Sequence, residues 1–411
     1  QGRAGRVKEG VCFKMFTRAK QAEMADEQAP EMLVVPLDQV CLNTLALNMG
    51  DCENVLGEAL DPPPATQVAA AMRTLRELGA IETDKATHRS KLTPMGHKLC
   101  QLHIEPRLGK MLVLASALRC VKPALAVAAS REAKDPFVMH PQADMARAQM
   151  GGELCSDQLL GWTICREFEE ATHRREAEAF CERNYLHSGR VRTMQAMQVK
   201  LSDMIVSAGL APGFQRGRAR SMQVAAFMSP WERETELVRG IVCAGLMPNV
   251  ARLAEKGGKK RMLLKDGSKI SAQQKSCIQM DRLPPGDGFV CFHELVKTSQ
   301  LFGSDLCYAS TYAVALFCET AERLRDGVLL CDGWIRLSAD DRTIESVLKI
   351  RQAARRCIDR HVAGTGIGSK NAEIDLEAVY RTFASIHRGD AEAPIPQPER
   401  APPGESRIYD R

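Results

Sequence analysis

The chain has 411 residues, a formal net charge of +5 and a pI near 8.5, with 45% hydrophobic and 26% charged residues. This length allows roughly three domains with their own cores, and the composition is that of a globular protein. The mildly basic balance is compatible with a nucleic-acid partner without requiring one. Composition therefore excludes a wholly disordered or fibrous chain but names no function.

The sequence also gives no sign of a metal-binding site or of a membrane-spanning segment. The fifteen cysteines include no Cys-x-x-Cys pair, and no His-Glu-x-x-His motif occurs, so no metal site is predicted. Scattered cysteines indicate reduced, mostly buried thiols in an intracellular compartment, cytoplasmic or nuclear, with mitochondria left open. The longest apolar run, 111–129, contains Arg119, Lys122 and Pro123 and is expected to lie in a soluble core and not in a membrane.

The first six residues, Gln1-Gly2-Arg3-Ala4-Gly5-Arg6, combine two arginines with two glycines. Glycine lets the backbone approach a ligand closely, and guanidinium groups match phosphate oxygens bidentately. On these residues alone, a solvated basic terminus and a polyphosphate-binding turn both stay open. Residues 7–16 alternate with period two and predict a strand that closes a domain lying upstream. Because the chain starts inside this motif, we expect it to be a fragment.

A compact unit is predicted over residues 31–92. Apolar spacing indicates helices over 40–47, 52–60 and 68–78, and two short strands near 80–82 and 91–92 predict a hairpin. Three helices and a two-stranded wing describe a winged helix. Such folds bind nucleic acid or serve as structural platforms, and both alternatives stay open.

An all-helical bundle is predicted over residues 93–209. Thr93-Pro94 is a helix N-cap followed by proline at the first helical position. The apolar spacing then recurs through a series of helices to Gly209, and methionines at this spacing indicate core packing. Residues 210–230, rich in glycine and arginine, are predicted to form a solvated basic linker.

Residues 231–362 are predicted to begin with a helix over 231–246 and to continue as a small antiparallel barrel. Strands are expected near 249–254, 261–264, 289–295 and 308–316, with Trp334 in a late strand and a closing helix over 347–361. The basic run 256–261 falls between the first two strands, where a solvated hairpin tip and a nucleic-acid loop are the alternatives. The last segment, 363–411, is a polar, Pro-rich tail that loses hydrophobicity beyond Gly364, and its Pro-rich part from Ala393 is expected to be disordered.

The order of these units and a series of short motifs resemble the C-terminal half of DEAH/RHA-type (DExH-box) ATP-dependent RNA helicases. The resemblance covers residues 1 to about 362. It rests on collinear phrases, each weak alone: 2–6 with Gly10-Val11-Cys12-Phe13, Ala59-Leu60-Asp61-Pro62-Pro63, Leu92-Thr93-Pro94-Met95-Gly96, Glu105-Pro106-Arg107-Leu108-Gly109-Lys110-Met111, Ala128-Ala129-Ser130, Asp135-Pro136-Phe137, Cys243-Ala244-Gly245-Leu246, Pro248-Asn249-Val250-Ala251, His293, Lys297-Thr298-Ser299 and Asp332-Gly333-Trp334-Ile335.

The resemblance implies a multidomain, mainly α chain. Its expected parts are the end of the second RecA-like α/β domain, a winged helix, a helical ratchet (helicase-associated) bundle, a basic linker, an oligonucleotide-binding (OB-fold) β-barrel and a polar tail, at residues 1–30, 31–92, 93–209, 210–230, 231–362 and 363–411. The opening turn would be helicase motif VI. By motif match, Arg3 and Arg6 would be catalytic arginine fingers, and with Gly2 and Gly5 they would face the γ-phosphate of ATP bound with Mg²⁺.

RNA contacts are implied at two further places. Lys275-Ser276 and Lys297-Thr298-Ser299 match barrel positions that face the RNA channel in the family, where they would hold phosphates without reading sequence. The alternative is that Thr298 and Ser299 satisfy backbone groups at a strand end. Gln273-Gln274, and Gln158 after Ser156-Asp157, depart from residues common in the family, so the detailed contacts are less well defined than the architecture.

The implied function is that of an RNA helicase or RNP-remodelling translocase moving 3′ to 5′ on single-stranded RNA. RNP complexes or a helicase-activating protein are possible partners. The chain contains no Gly-Lys-Thr phosphate loop and no Asp-Glu-x-His motif, so it is expected to be inactive without the rest of the protein. The alternative is a non-catalytic RNA-binding or scaffold protein derived from a helicase.

Overall fold

The computed structural model describes residues 7–24, 30–84, 89–152, 154–211, 221–256, 259–284, 288–325, 327–365, 369–388 and 397–398. The described part is mainly helical, as expected, and its sheets are mixed. None of the helices in these ranges is long and apolar enough to cross a membrane.

The predicted strand over residues 7–16 is not formed. This segment has no regular structure, and the side chains of Val11, Phe13 and Met15 are exposed. A strand exists only when a neighbour completes its hydrogen bonds, and no described strand pairs with this segment. Helix α1, Arg18–Glu23, follows and is capped by the Thr17 side chain.

The unit from residue 30 to 92 has helices and a hairpin in the predicted order. They are α2 (Glu31–Val34), α3 (Asp38–Ala46), α4 (Cys52–Gly57), α5 (Ala65–Glu77), β1 (Ile81–Thr83) and β2 (Ser90–Leu92). Asp51 begins α4 because its carboxylate accepts from the backbone N–H groups of Glu53 and Asn54. The two strands pair antiparallel, Ile81 opposite Leu92. The assignment of this unit as a winged helix stays a prediction.

Seven helices form the bundle that follows: α6 (Pro94–Leu102), α7 (Pro106–Ala117), α8 (Val121–Glu132), α9 (Ala143–Gly152), α10 (Leu160–His173), α11 (Ala177–Arg183) and α12 (Ser188–Ser207). The Thr93 hydroxyl accepts from Gly96 N and begins α6, as the Thr-Pro pair predicts. Helix α7 is buried on nearly all sides, because the other helices of the bundle and the later part of the chain pack around it.

The predicted basic linker is partly helical. Residues 212–220, which carry its arginines, lie outside the described residues, but α13, Ser221–Phe227, follows them. Val224 and Ala225 are buried in the main core, so this part packs and is not a solvated loop. Helix α14, Thr235–Leu246, comes next and packs against α7.

Seven strands form the main sheet: β3 (Val250–Lys256), β4 (Lys259–Leu263), β5 (Lys269–Ala272), β6 (Phe289–Cys291), β7 (Leu295–Lys297), β8 (Leu301–Gly303) and β9 (Cys307–Ala309). Their order across the sheet is β7-β8-β5-β4-β3-β6-β9. The two edge strands, β7 and β9, are not paired with each other in the described chain, so the expected closed barrel is an open sheet.

The predicted strand over 308–316 is also wrong for most of its length. Only Cys307–Ala309 is a strand, and α15, Thr311–Phe317, follows at once. The hydroxyl of Ser310 accepts from Ala313 N and caps this helix, so the chain turns from strand to helix within one residue.

A second small sheet contains β10 (Ala321–Arg323), β11 (Val328–Cys331), β12 (Ile335–Ser338) and β13 (Gln397–Pro398), and between β12 and β13 the chain forms helices α16 (Asp341–Ala363) and α17 (Lys370–Arg388). Trp334 lies in the turn between β11 and β12 and not in a strand. Helix α16 contains the predicted closing helix and extends it at both ends.

Helix α17 lies in the polar segment beyond Gly364, where no helix was expected, and it ends before the Pro-rich part at Ala393. Leu376, Val379, Tyr380 and Phe383 recur at helical spacing and are buried. The Tyr380 hydroxyl donates to the carbonyl of Leu118 at 2.8 Å, and its ring stacks on Trp231 at 4.2 Å. The burial of this apolar face stabilises the helix despite its charged flanks. Residues 399–411 lie outside the described part.

One hydrophobic cluster connects these units. It begins at Leu37 in the first unit, passes through the bundle and the inner face of α14, and ends at Phe383 in α17. A smaller cluster around Leu253, Met262 and Ile270 fills the opposite face of the main sheet. The ratchet-like bundle and the sheet are therefore packed against each other through a continuous core.

Candidate nucleic-acid interface

The predicted ATP-facing residues Gly2, Arg3, Gly5 and Arg6 lie outside the described residues. Their role as arginine fingers and flanking glycines stays a prediction.

Lys275 and Ser276 lie in the loop after β5. Lys275 is exposed, whereas the Ser276 hydroxyl is engaged by the protein. It donates to the Asp157 carboxylate, with Oγ 3.0 and 2.8 Å from Oδ1 and Oδ2, and accepts from the backbone N–H of Ile278. Its single proton is therefore used inside the chain, and an RNA phosphate at Ser276 would have to compete with Asp157 for it.

The Asp157 carboxylate accepts hydrogen bonds from three residues at this point. Besides Ser276, its carboxylate accepts from the backbone N–H of Cys277 at 2.5 Å and of Leu306 at 2.9 Å. Burial raises the pKa of Asp157, and the hydrogen bonds from these three residues act in the opposite direction. We call Asp157, Ser276, Cys277 and Leu306 the Asp157 junction. It joins the connection between α9 and α10 to two separate loops of the main sheet.

Backbone hydrogen bonds continue this junction along β9. Asp157 N donates to the carbonyl of Leu306 at 2.7 Å, and Tyr308 N donates to the carbonyl of Cys155 at 2.9 Å. Ser156 and Cys307 form an isolated antiparallel bridge between them. The bundle thus adds a short extended segment to the edge of the main sheet, which fixes the relative orientation of the two units.

Two side-chain pairs reinforce the same boundary. Arg131, at the end of α8, pairs with Asp305. His293 Nε2, in the loop after β6, lies 3.1 Å from Glu105 Oε2 at the start of α7. His293 is buried, and its contact with Glu105 lowers the pKa of that carboxyl against the opposing effect of burial. The motifs containing Glu105 and His293 therefore meet in space, which their separation in sequence does not reveal.

Two cations of the motif 105–111 lie at the start of α7. Arg107 donates to the carbonyls of Leu246 and Met247 at 3.3 and 3.5 Å, and so binds the C-terminal end of α14. Burial lowers the pKa of Lys110 to about 8, with Glu319 and Asp332 acting in the opposite direction. Arg107 thereby connects the bundle to the second half of the chain.

Lys297, Thr298 and Ser299 lie at the turn between β7 and β8, and all three are exposed. Lys297 is opposite Leu301 in the hairpin, and the backbone N–H of Thr298 donates to the carbonyl of Gln300. The hydroxyls of Thr298 and Ser299 make no hydrogen bond within the described residues, so the alternative in which they satisfy the strand's backbone has no support there. The structure leaves these donors accessible to a ligand, but their RNA contact stays a prediction.

The predicted RNA-binding residues do not form one compact cluster. Lys275-Ser276 follows β5, where it is bound to the bundle through Asp157, and Lys297–Ser299 ends the edge strand β7. Within the described ranges, no three His, Cys, Asp or Glu side chains are grouped as metal ligands. The exposed donors of these two segments, Lys275 and Lys297–Ser299, are therefore separate points on the surface of the described sheet.

Two family models match this part of the chain. The model of the helicase associated domain (HA2), described as ratchet-like, matches residues 105–205, and the model of the oligonucleotide/oligosaccharide-binding (OB)-fold matches residues 238–321. Both ranges lie within the units expected as ratchet and OB domains, and the finer boundaries stay predictions. The helical bundle and the open sheet are thus a helicase-associated ratchet domain and an OB-fold domain.

Whole-chain comparison agrees with this class. The chain is similar to the DExH-box ATP-dependent RNA helicase DExH3 of Arabidopsis thaliana, at 30% identity over 326 residues, covering 77% of this chain and 25% of that protein. DExH1 of the same plant is 26% identical over 371 residues, covering 88% and 36%. The human ATP-dependent RNA helicase DHX29 is 29% identical over 358 residues, covering 82% and 25%.

The chain therefore belongs to the DExH-box RNA helicase family and corresponds to its C-terminal region. It spans between a quarter and about a third of the length of these curated relatives.

Proposed function

We propose that the chain acts within a longer protein as the C-terminal part of an ATP-dependent RNA helicase or RNP-remodelling translocase. Family membership supports a helicase role, and the Asp157 junction is the structural observation that carries the proposal. Through it the ratchet helices and the OB sheet are joined by side-chain and backbone hydrogen bonds, and in this proposal the connection lets the two domains together resist backward movement of the strand.

In this proposal the RecA-like domains open and close with ATP hydrolysis, and the chain's own residues keep the RNA in place. The ratchet and OB domains close the channel over single-stranded RNA, and the protein moves 3′ to 5′ along the strand. Exposed Lys275 and Lys297, with the hydroxyls of Thr298 and Ser299, would contact phosphates, because a cation or hydroxyl at a strand end holds a backbone without reading its bases.

Arg3 and Arg6 would act at the ATP site. Guanidinium groups stabilise the charge on a transferring phosphoryl group, and glycines such as Gly2 and Gly5 let the backbone come close to it. ATP with Mg²⁺ would be held mainly by a phosphate loop and an Asp-Glu-x-His motif supplied outside residues 1–411. RNA is the proposed substrate, within RNP complexes or together with an activating protein.

The test uses the full-length protein with Arg3→Ala and, separately, Arg6→Ala. Removal of an arginine finger should lower RNA-stimulated ATP hydrolysis by about 10³-fold or more and leave RNA affinity unchanged. Arg18→Ala, at the exposed start of α1, is the matched control and should retain full turnover. Unchanged hydrolysis in both finger variants would refute the assignment. A full-length wild type that binds RNA without hydrolysing ATP would instead indicate the scaffold alternative.

A further inference from the structure

Two buried cysteines, Cys318 and Cys331, meet at the sheet formed by β10 to β13 and have no part in the proposed function. Cys318 is the C-terminal cap of α15, and Cys331 is the last residue of β11. Their thiols form a hydrogen bond with each other, so the two sulfur atoms are in contact. This contact is a starting geometry for a disulfide, because bond formation only has to draw the sulfurs to about 2 Å.

A guanidinium group lies directly beside one of the two thiols. Arg351 Nη1 is 3.3 Å from the Sγ atom of Cys318. The same nitrogen donates to the carbonyls of Ala315 and Leu316 at 3.2 and 2.9 Å, which holds it against the end of α15. Arg351 is buried, and an arginine keeps its charge inside a protein. A fixed positive charge at this distance stabilises the thiolate form of Cys318.

The surroundings give the two thiols different acidities. The hydrogen bond from Cys331 lowers the pKa of Cys318, and the charges of Arg351 and Arg355 act in the same direction. Burial and the carboxylate of Asp332 oppose this effect. The same thiol–thiol hydrogen bond, together with burial, raises the pKa of Cys331. Cys318 is therefore the nucleophile of the pair, and Cys331 is the thiol that keeps its proton.

A second pair of thiols in the chain shows what the cations add. Cys41 in α3 and Cys52 at the start of α4 form the same kind of hydrogen bond. Both pairs are equally buried, with each of the four residues at most 1% exposed. The charged groups that act on this second pair are the carboxylates of Asp38 and Asp51, which disfavour a thiolate. The two pairs thus differ in the sign of the neighbouring charge.

The edge of the sheet gives an oxidant access to Cys318 and Cys331. Strand β10 is the edge strand, and it pairs with β11 over three residues, with Ala321 opposite Cys331. Glu319 and Thr320, which connect Cys318 to this strand, are exposed. A short edge strand opens locally at a lower free energy than the core does. Its opening moves Ala321 and the residues before it away from the two sulfurs.

We propose that Cys318 and Cys331 are an oxidation site at which hydrogen peroxide forms a reversible intramolecular disulfide. First, the Cys318 thiolate attacks one peroxide oxygen, the O–O bond breaks, and the leaving hydroxide takes up a proton to become water. Cys318 is then a sulfenic acid. Next, the Cys331 sulfur attacks the sulfenic sulfur, the S–O bond breaks, and the hydroxyl group leaves as water with the Cys331 proton.

The net reaction oxidises both thiols and reduces the peroxide to water. The disulfide ties the end of α15 to β11, and a thiol reductant reverses it by exchange. The reaction requires neither RNA nor ATP, so it goes beyond the proposed helicase function and does not depend on it.

The first test treats the whole 411-residue chain with hydrogen peroxide and follows each cysteine by tandem mass spectrometry of tryptic peptides. The Cys318–Cys331 disulfide should form about tenfold or more faster than one between Cys41 and Cys52, since each unit of pKa changes the thiolate fraction about tenfold. Dithiothreitol should remove it. Equal rates for the two pairs would overturn the site. Oxidation of the exposed Cys12 without any Cys318–Cys331 disulfide would overturn it too.

The second test separates the roles of the two thiols. Cys331→Ala keeps the nucleophile and removes its partner, so peroxide should leave a sulfenic acid at Cys318 that dimedone traps. Cys318→Ala should leave Cys331 as a thiol under the same conditions. Dimedone labelling of Cys331 in place of Cys318 would contradict the proposed order of steps. Thermal unfolding of each variant verifies that the fold is intact.

The third test changes the local charge and keeps both thiols. Asp332→Asn removes the opposing negative charge, and its amide oxygen can still accept from the backbone N–H of Thr320. Arg355→Gln removes a positive charge at an exposed position of α16. Disulfide formation should become a few-fold faster in the first variant and a few-fold slower in the second. Lys200→Gln, exposed on α12, should follow the wild type.

A purely structural effect of these substitutions would not change the rate in opposite directions. Unchanged rates in both charge variants would show that the neighbouring cations do not activate Cys318, and the site would be refuted. The proposed helicase function is decided separately by the ATPase test with Arg3→Ala.

Discussion

The hydroxyl of Ser276, in the OB domain, donates to the carboxylate of Asp157, in the ratchet domain, across a separation of 119 residues in sequence. Two backbone N–H groups, from Cys277 and Leu306, complete the coordination of the same carboxylate. A buried carboxylate that accepts from backbone and side chain at once orients both loops. We therefore regard Asp157 as the residue that defines the relative position of the two domains.

Asp157→Asn should weaken this junction. Asparagine has an NH₂ group in place of one carboxylate oxygen, and this group cannot accept a hydrogen bond. At least one of the backbone N–H groups that now donate to Asp157 would therefore lose its acceptor. Leaving such a buried donor unsatisfied costs about 1–3 kcal/mol, and urea unfolding should show a loss of that size. Ser276→Ala removes one donor while the backbone contacts remain, so its loss should be smaller, about 1 kcal/mol.

The matched control for this substitution is Asp359→Asn on the exposed side of α16. Its free energy of unfolding should lie within about 0.5 kcal/mol of the wild type, as for most surface changes. If Asp157→Asn were as stable as this control, the junction would contribute nothing to the domain contact.

Lys297→Gln tests the first proposed RNA contact. Lys297 is exposed on the edge strand β7, so its substitution should not affect folding. Loss of one phosphate contact should lower the salt slope of binding to single-stranded RNA by about 0.7 and reduce affinity similarly for different sequences. Lys200→Gln, exposed on α12, provides the comparison. An unchanged slope would show that Lys297 does not touch phosphate.

Much of the fold could be predicted because its signals are local. Thr93-Pro94 specifies a helix start within a few residues, and the structure confirms it at α6. The strand expected at 308–316 was wrong because both strand and buried helix can be continuous apolar runs, and the Ser310 cap was not recognised. Helix α17 was missed because its apolar residues are diluted by charges, and the core they cover is formed by distant residues.

The candidate site could be predicted only in part, since its contacts are tertiary. A motif match selects Ser276, but the sequence does not show that Asp157 occupies its hydroxyl. A basic run marks residues 259–261, but only the pairing of β4 with its neighbours shows that Lys260 is used internally. Lys297 is exposed at the end of β7, and its contact with RNA stays a prediction.

Phe383→Ala tests the packing of α17. The Phe383 ring is fully buried, stacks near Phe317 with centroids 6.3 Å apart, and lies against Gly240 of α14. Its removal should leave a cavity and cost about 3–5 kcal/mol of unfolding free energy. Ile374→Ala, largely exposed on the same helix, should cost much less. Equal stability of the two variants would indicate that α17 is not docked in solution.

His361, near the end of α16, should make stability depend on pH. Burial lowers its pKa to about 4, and Lys98 and Arg119 act in the same direction. Between about pH 4 and pH 6.5 this histidine is protonated in the unfolded chain, where its pKa is near 6.5, but not in the folded chain. The stabilisation is therefore fully present above about pH 6.5 and is lost as the pH falls toward 4, by roughly 3 kcal/mol in total.

Urea unfolding at several pH values should show that the free energy of unfolding falls less steeply with decreasing pH in His361→Gln than in the wild type. His97→Gln, at an exposed position of α6, should follow the wild type. Identical acid slopes in all three proteins would mean that His361 is protonated equally in the folded and unfolded states, which its burial beside two cations argues against.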